Sequence, residues 1–94
     1  MKTIAHIYAD SEQGISIATI KQDYKRTKAY ILQDAYTAKT YWFKDLTKLV
    51  SDITEVDFIR FHAERLKVKQ LVIYFIPNLT FAKPRVIRID YCPF

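Results

Sequence analysis

The first part of the chain alternates between hydrophobic and polar residues, which predicts β-strands. Residues 2–9 and 15–21 both alternate, and the second segment is rich in β-branched side chains. Residues 10–14 (DSEQG), between them, have the composition of a turn, and Gly14 is the residue expected to adopt a positive φ. These features predict a β-hairpin.

A second hairpin is predicted by residues 29–34 (AYILQD) and 37–44 (TAKTYWFK), which are rich in β-forming residues. The connection between them contains no glycine. Residues 21–28, which precede this hairpin, concentrate charged side chains and are expected to form a solvated strand end and turn.

The middle of the chain has helical periodicity. Leu46, Leu49, Val50 and Ile53 follow the i, i+3, i+4, i+7 spacing of an amphipathic helix, for which Asp45 is the expected N-cap. The sequence TEVD that follows resembles a capping box and predicts the start of a second helix. The apolar stripe expected on this second helix is Val56, Phe58, Ile59, Phe61, Ala63 and Leu66.

The last part of the chain returns to strand patterns. Residues 70–76 (QLVIYFI) form a continuous apolar run, which indicates an inner strand covered on both faces, and residues 85–91 alternate again. The order ββββ-αα-ββ predicts an α+β fold: a single antiparallel or mixed sheet of about six strands, with two helices packed on one face. Residues 1–94 are expected to form one compact domain.

Charge and cysteine content narrow the expected location and partners. Fifteen Lys and Arg residues against ten Asp and Glu residues give a net charge of +5, which favours acidic partners but is also ordinary for solubility. The single cysteine, Cys92, cannot form an internal disulfide and is typical of a reducing compartment. No signal-peptide pattern and no apolar run of about 20 residues is present, so we expect a cytoplasmic protein without a membrane partner.

Several enzymatic chemistries lack the residues that they require. The sequence His62-Ala63-Glu64 matches the His-x-Glu of zinc nucleobase deaminases, but these enzymes also need a downstream Pro-Cys-x-x-Cys, and the chain has one cysteine. With one glycine, no Gly-rich phosphate-binding loop can form. With two histidines, no three-histidine metal site can form within one chain.

Two further catalytic hypotheses are disfavoured. Cys92 could act as a nucleophile with His6 or His62 as base, but it lies close to the end of the given sequence and no oxyanion hole is evident. A metal-dependent nuclease would need converging carboxylates, for which the strand-end residues Asp10, Glu12, Asp34 and Asp90 are candidates. Strand ends carry Asp in most small α+β proteins, because Asp favours turns. We therefore expect no enzymatic activity, no cofactor and no metal site.

The segment YTAKTYWFK interleaves four aromatic side chains with two lysines, as a stacking surface for nucleic-acid bases would. In a strand, Tyr41 and Phe43 would lie on one face together with Lys39. Trp42 and Lys44 would lie on the opposite face. Because the helices can cover only one face, we expect Tyr41 and Phe43 to be core residues and Trp42 to be a partly covered surface residue.

The preferred functional hypothesis is a non-enzymatic binding module that docks on a protein or nucleoprotein complex, as an adaptor or an inhibitor. A location among phage or plasmid genes would favour an inhibitor. The alternative is a nucleic-acid-binding domain that contacts RNA or DNA through a basic and aromatic sheet surface. A homodimer through the exposed edge of the first or last strand is a third partner hypothesis. The expected binding residues are Lys25, Arg26, Lys28, Tyr36, Lys39, Trp42, Lys44 and Arg88.

Overall fold

The computed structural model describes residues 2–23, 25, 29–77 and 85–91. In chain order the elements are β1 (Lys2–Ala9), β2 (Ser16–Asp23), β3 (Ala29–Asp34), β4 (Thr40–Phe43), α1 (Leu46–Asp52), a 3₁₀ turn (Ile53–Glu55), α2 (Asp57–Arg65), β5 (Gln70–Phe75) and β6 (Arg85–Asp90). The predicted order ββββ-αα-ββ is confirmed. The main difference in length is β4, which has four residues because residues 37–39 belong to the preceding turn and loop.

The six strands form one antiparallel sheet in the order β4-β3-β2-β1-β5-β6. The sequence predicted an antiparallel or a mixed sheet, and the antiparallel alternative is correct. β4 and β6 lie at the edges, whereas β1 is paired on both sides, with β2 and with β5. The first strand therefore offers no free edge, and only the last strand of the predicted pair lies at an edge.

Both helices pack on one face of the sheet and form the core with it. Ile7 of β1 and Leu32 of β3 are fully buried in the same cluster as Leu49 of α1 and Ile59 of α2. Full burial of one aliphatic side chain of this size contributes about 1.5–3 kcal/mol. Within the part of the chain that the structure describes, neither helix has the length and apolar character to cross a membrane.

The strand β5 is an inner strand, as its continuous apolar run predicts. Leu71 and Ile73 belong to the core under the helices. Val72 lies on the opposite face, in register with Tyr8 of β1 and Arg88 of β6, and it is also fully buried. Both faces of β5 are thus covered at this level of the sheet.

The two helices begin in different ways. Asp45 is the N-cap of α1, as predicted, and accepts a hydrogen bond of 2.7 Å from the backbone N–H of Thr47. The predicted capping box does not form. Thr54 lies in the 3₁₀ turn, and the N-cap of α2 is Val56, whose side chain caps nothing. A 3₁₀ turn leads directly into α2, and this leaves no extended residue at position 54 to act as a cap.

The end of α2 is a Schellman motif built on a lysine. The backbone N–H of Val68 donates to the carbonyl of Ala63 at 2.8 Å, and that of Lys67 donates to Glu64 at 3.2 Å. Lys67 has a φ of 54°, in the left-handed region where glycine is normally preferred. This turn directs the chain from α2 into β5.

The turn between β1 and β2 needs its glycine for space, and the prediction of a positive φ at Gly14 is wrong. The left-handed residue is Asp10, with a φ of 67°. A Cβ atom at position 14 would lie 1.9 Å from the carbonyl oxygen of Ala9. Asp10 also accepts hydrogen bonds from the backbone N–H groups of Lys69 and Gln70, at 2.8 and 3.2 Å, and so connects this turn to β5.

Candidate functional site

The sheet face opposite the helices is a candidate binding surface, which we call the open face. Strand alternation and the observed register place alternate residues of all six strands on it. Among the described elements, both helices lie on the other face. The aromatic and charged strand residues of the open face are His6, Tyr8, Trp42, Tyr74, Lys21, Asp23, Arg88 and Asp90.

Aromatic side chains occupy the centre and one edge of the open face. His6 and Tyr8 on β1 have ring centroids 6.0 Å apart, and Tyr74 on β5 lies directly opposite His6 in register. Trp42 lies on the edge strand β4 and is 53% exposed. The position of Tyr74 beside His6 and Tyr8 could not be predicted from the sequence, because β1 and β5 are far apart in the chain.

The segment YTAKTYWFK divides between the two faces as strand alternation predicts. The ring of Tyr41 lies 5.7 Å from that of Phe58 on α2, and Phe43 packs against the core. Trp42 points away from the helices and is paired in register with Ile31. One part of the expectation is wrong: Tyr41 is 40% exposed, because it lies on the short edge strand at the rim of the helical layer and not within the core.

The other predicted binding residues do not form one cluster. Lys25 and Lys44 follow β2 and β4 at the same end of the sheet, and both are exposed. Tyr36 and Lys39 lie at the opposite end, in the connection between β3 and β4. Arg26 and Lys28 lie outside the described residues.

Arg88 lies near the β6 edge of the sheet, away from the other predicted binding residues. It belongs to β6, and five strand spacings, about 24 Å, separate that edge from β4. Its guanidinium group forms an ion pair with Glu12. The predicted binding residues that the structure describes therefore do not form a continuous basic surface.

The most buried polar contact in the described structure joins α2 to the end of β3. Asp34 is 3% exposed and His62 is 6% exposed, and His62 Nε2 lies 2.9 Å from Asp34 Oδ1. The same carboxylate accepts the backbone N–H of Tyr36 at 3.0 Å and the hydroxyl of Thr37 at 2.6 Å. Asp34 thus also organises the turn that follows β3.

The neighbours of His62 show which of its two ring nitrogens carries the hydrogen atom. Arg65 Nη2 lies 3.3 Å from Nδ1, and because a guanidinium group can only donate, Nδ1 accepts and Nε2 donates to Asp34. The rings of Phe61 and Tyr36 lie 5.4 and 4.8 Å from the imidazole. Both ring nitrogens of His62 therefore have partners, and the arrangement joins α2 to the β3–β4 turn.

The pKa of Asp34 reflects this network. Burial raises the pKa of the carboxyl group, but the hydrogen bonds from Thr37, Tyr36 and His62 outweigh burial, and the pKa lies below its ordinary value. Asp34 therefore stays ionised at neutral pH. In the described ranges, every buried side-chain nitrogen and oxygen has a hydrogen-bond partner.

His62 is buried, and its position on α2 accounts for this burial. His62 follows Phe58 by four residues and Ile59 by three, and it therefore lies on the buried side of the helix, where all three are found. Phe61, which was assigned to the apolar stripe, is 54% exposed instead. Strict helical spacing could have identified the burial of His62, but its partner on β3 could not be found in this way.

Three of the four strand-end carboxylates of the nuclease hypothesis are already engaged. Asp10 accepts two backbone N–H groups, Glu12 pairs with Arg88, and Asp34 accepts three hydrogen bonds. Over residues 2–23, 25, 29–77 and 85–91, the structure brings together no group of three or more His, Cys, Asp or Glu residues that could hold a metal ion. Cys92, the candidate nucleophile, lies outside these ranges.

A cavity of about 370 Å³ lies between the β3–β4 turn, β4 and α2, and we call it the α2 cavity. It is lined by Asp34, Thr37, Lys39, Tyr41, Asp57, Phe58, Phe61 and His62. A second cavity, of about 310 Å³, lies between α1, the end of β5 and the start of β6, and its lining is mainly aliphatic and aromatic. Only the first cavity combines aromatic walls with several charged groups.

Comparisons of the chain with protein-family models, with curated proteins and with solved structures found no match. Function must therefore be inferred from the side chains themselves. Two surfaces offer a basis for this: the open face and the α2 cavity.

Proposed function

We propose that the protein is a non-enzymatic binding module that docks on a protein partner, as an adaptor or an inhibitor, through the open face. The observation that carries this proposal is the aromatic group on a sheet face that neither described helix covers. Tyr8 and Tyr74 lie on inner strands, and Trp42 lies on the same face at the β4 edge, separated from β1 by β3 and β2. Tyr and Trp are enriched in the buried centres of protein interfaces, because one ring supplies large contact area and a polar group.

The charge on the open face also favours a protein partner. Its charged strand residues are two basic ones, Lys21 and Arg88, and two acidic ones, Asp23 and Asp90. Arg88 is in addition paired with Glu12. A phosphate backbone is bound by an excess of Lys and Arg, whereas the centres of protein interfaces are depleted of charge. The balance on this face therefore favours a protein over bare nucleic acid.

Nucleic-acid binding is the alternative function, and it has some support of its own. The chain has a net charge of +5, and sheet-surface RNA binders carry stacking aromatic residues on inner strands, as Tyr8 and Tyr74 are placed here. A nucleoprotein partner would combine both kinds of contact. This alternative requires the basic residues at the sheet ends, such as Lys25 and Lys44, to approach the phosphates.

Site-specific crosslinking in cells can identify the partner class. A photo-reactive phenylalanine analogue replaces Thr19, at the centre of the open face, or Ser51, exposed on α1 as the control. We expect protein adducts from position 19 and none of the same adducts from position 51. Adducts with RNA or DNA at position 19 would support the alternative, and adducts only at position 51 would contradict docking through this face.

The affinity of the purified partner then measures the contribution of individual side chains. Trp42→Ala and Tyr74→Ala should each weaken binding by about tenfold or more, as is usual for aromatic interface anchors. Lys48→Ala, on the exposed side of α1, should leave the affinity unchanged. Because Trp42 is the only tryptophan, its acrylamide quenching should fall when the partner binds. Unchanged quenching and unchanged affinity of both aromatic variants would refute the proposal.

Ionic strength separates protein docking from phosphate binding. For nucleic acid, the logarithm of the association constant should fall by about 0.7–0.9 per phosphate contact for each tenfold increase in salt. For docking through the charge-balanced open face, we expect a slope close to zero. A steep slope with an oligonucleotide as the ligand would favour the alternative.

Self-association is a further partner hypothesis. The β6 edge carries Arg85–Asp90, and an unpaired strand edge can add a strand from a second copy. Sedimentation equilibrium over a hundredfold range of concentration would test this. A constant monomer mass over that range would contradict the homodimer.

A further inference from the structure

We propose that the α2 cavity binds the guanidinium group of an arginine side chain presented by a partner polypeptide. The α2 cavity lies on the helical side of the sheet, since Phe58 and His62 of α2 form part of its lining. The proposal is therefore independent of docking through the open face, on the opposite side.

The walls of the cavity are aromatic rings that a cation can approach. The rings of Tyr41 and Phe58 are 5.7 Å apart and inclined by 50°. Tyr41 is 40% exposed and Phe61 is 54% exposed, so both present ring surface at the mouth of the cavity. A guanidinium group above such a ring is attracted electrostatically by the negative face of the ring.

Asp57 supplies a carboxylate at the same site. It is an exposed residue in the first turn of α2, and it accepts a long hydrogen bond of 3.4 Å from the hydroxyl of Tyr41. A carboxylate can accept about four hydrogen bonds, so Asp57 retains capacity for an incoming donor. Arg–carboxylate pairs use this capacity with two parallel N–H donors.

Two of the three charged side chains that line the cavity are acidic, and the guanidinium group of Arg65 lies outside the lining, 3.3 Å from His62 Nδ1. Two carboxylates, Asp34 and Asp57, line the cavity together with one lysine, Lys39, in a chain of net charge +5. The three hydrogen bonds to Asp34 keep it ionised at neutral pH. A phosphate or carboxylate ligand would meet two like charges here, whereas a cation meets complementary ones.

An arginine side chain fits this combination better than other cations. Its guanidinium group is planar, so one face can stack on an aromatic ring while its edge donates to a carboxylate. The ammonium group of lysine offers no such plane. The volume of about 370 Å³ lies at the small end of the range for ligand sites, which suits one side chain rather than a large cofactor.

The flanking surface favours a polypeptide as the source of the arginine. Tyr36 is 54% exposed beside His62, and Phe61 is equally exposed on the other side of that imidazole. The guanidinium group of Arg65 already lies 5.5 Å from the Tyr36 ring, so residues before and after a bound arginine could cover the Phe61 ring, whereas free arginine could not. The carboxylate of free arginine would also enter a region that already contains Asp57.

An NMR titration of the full chain with small probes tests the proposal. The probe is N-acetyl-arginine-amide, which represents an arginine within a polypeptide, added to the ¹⁵N-labelled protein. We expect saturable shifts at the amide groups of residues 34–41 and 57–62, with a dissociation constant on the order of 1 mM for a single side chain. The lysine amide should bind several-fold more weakly, and the uncharged citrulline amide should give no saturable shift.

Variants separate the cavity from other acidic surfaces. Asp57→Asn should weaken binding of the arginine amide by about tenfold, because it removes the charge but keeps the shape. Asp52→Asn is the matched control, since Asp52 is an acidic residue on α1 that pairs with Lys48 outside the cavity. Phe61→Ala, at an exposed position, should also weaken binding, whereas Trp42→Ala on the open face should not.

Several outcomes would overturn the proposal. The first is the absence of saturable shifts at arginine-amide concentrations up to about 50 mM, which is 50-fold above the expected dissociation constant. The second is equal binding of the citrulline amide. The third is an equal loss of binding in Asp52→Asn and Asp57→Asn. Tighter binding of free arginine than of its amide would overturn the polypeptide source. None of these results bears on crosslinking at position 19, so failure here and failure of the open-face proposal are distinguishable.

Discussion

His62 donates a hydrogen bond from Nε2 to Asp34 Oδ1 at 2.9 Å, and this contact connects α2 to the end of β3 across 28 positions of sequence. It lies beside an otherwise apolar core, where a misplaced helix would leave both groups without partners. A buried polar pair penalises such alternative packings because an unpaired buried group costs about 1–3 kcal/mol. We infer that the pair sets the position of α2 along the sheet.

Removing the carboxylate should destabilise the protein strongly. Asp34→Ala leaves His62 Nε2–H, Thr37 and the Tyr36 N–H without their acceptor, so the free energy of unfolding should fall by about 3 kcal/mol. Urea denaturation measures this. The control Asp52→Ala, at a partly exposed position, should cost less than about 0.5 kcal/mol. A loss for Asp34→Ala that is no larger than the control would show that the network contributes little.

Acid should destabilise the protein in part through Asp34. Folding lowers the pKa of Asp34 below its unfolded value of about 3.9, so its contribution is complete above that value and is lost as the pH falls through the lower native pKa. Urea denaturation between pH 7 and pH 2 should show this loss in the wild type. Asp34→Asn, which cannot titrate, should show a smaller loss over the same interval. Parallel curves for the two proteins would contradict this assignment.

A glycine at position 67 should stabilise the protein. Lys67 has a φ of 54° at the end of α2, and a residue with a Cβ atom pays about 1 kcal/mol for the left-handed conformation. We expect Lys67→Gly to raise the free energy of unfolding by up to about 1 kcal/mol. Lys67→Ala is the matched control, because it removes the charged side chain but keeps the Cβ atom. An equal gain in both variants would show that charge, not backbone strain, is responsible.

Position 14 should not tolerate any side chain. A Cβ atom there would approach the carbonyl oxygen of Ala9 to 1.9 Å, so the β1–β2 turn must rearrange in Gly14→Ala. We expect a loss of more than about 2 kcal/mol in thermal or urea denaturation. Gln13→Ala, at the exposed neighbouring position, should change stability by less than about 0.5 kcal/mol. Similar small effects for both variants would contradict the close approach.

Local periodicity was sufficient to predict most of the elements. The limits of β1 and β3 and the N-cap Asp45 agree with the sequence prediction, because alternation and capping depend on residues only a few positions apart. The errors occur where a neighbouring element changes the local preference. The 3₁₀ turn replaces the capping box before α2, and Asp10 takes the positive φ that was expected of the glycine.

The candidate sites were less predictable than the fold. Alternation placed Trp42 opposite Tyr41 and Phe43, but it could not show that His6, Tyr8 and Tyr74 meet on the same face. The burial of His62 follows from helical spacing, but its pairing with Asp34 depends on how α2 crosses the sheet. The α2 cavity likewise combines residues from a turn, a strand and a helix.

Local patterns thus predict the strands, the helices, their order and the two opposed faces of YTAKTYWFK. These properties follow from the period of two residues in strands and of 3.6 in helices, which a short segment already displays. The strand order, the composition of the open face and the partner of His62 became known from the three-dimensional packing. Those depend on contacts between residues distant in the chain, which no local pattern encodes.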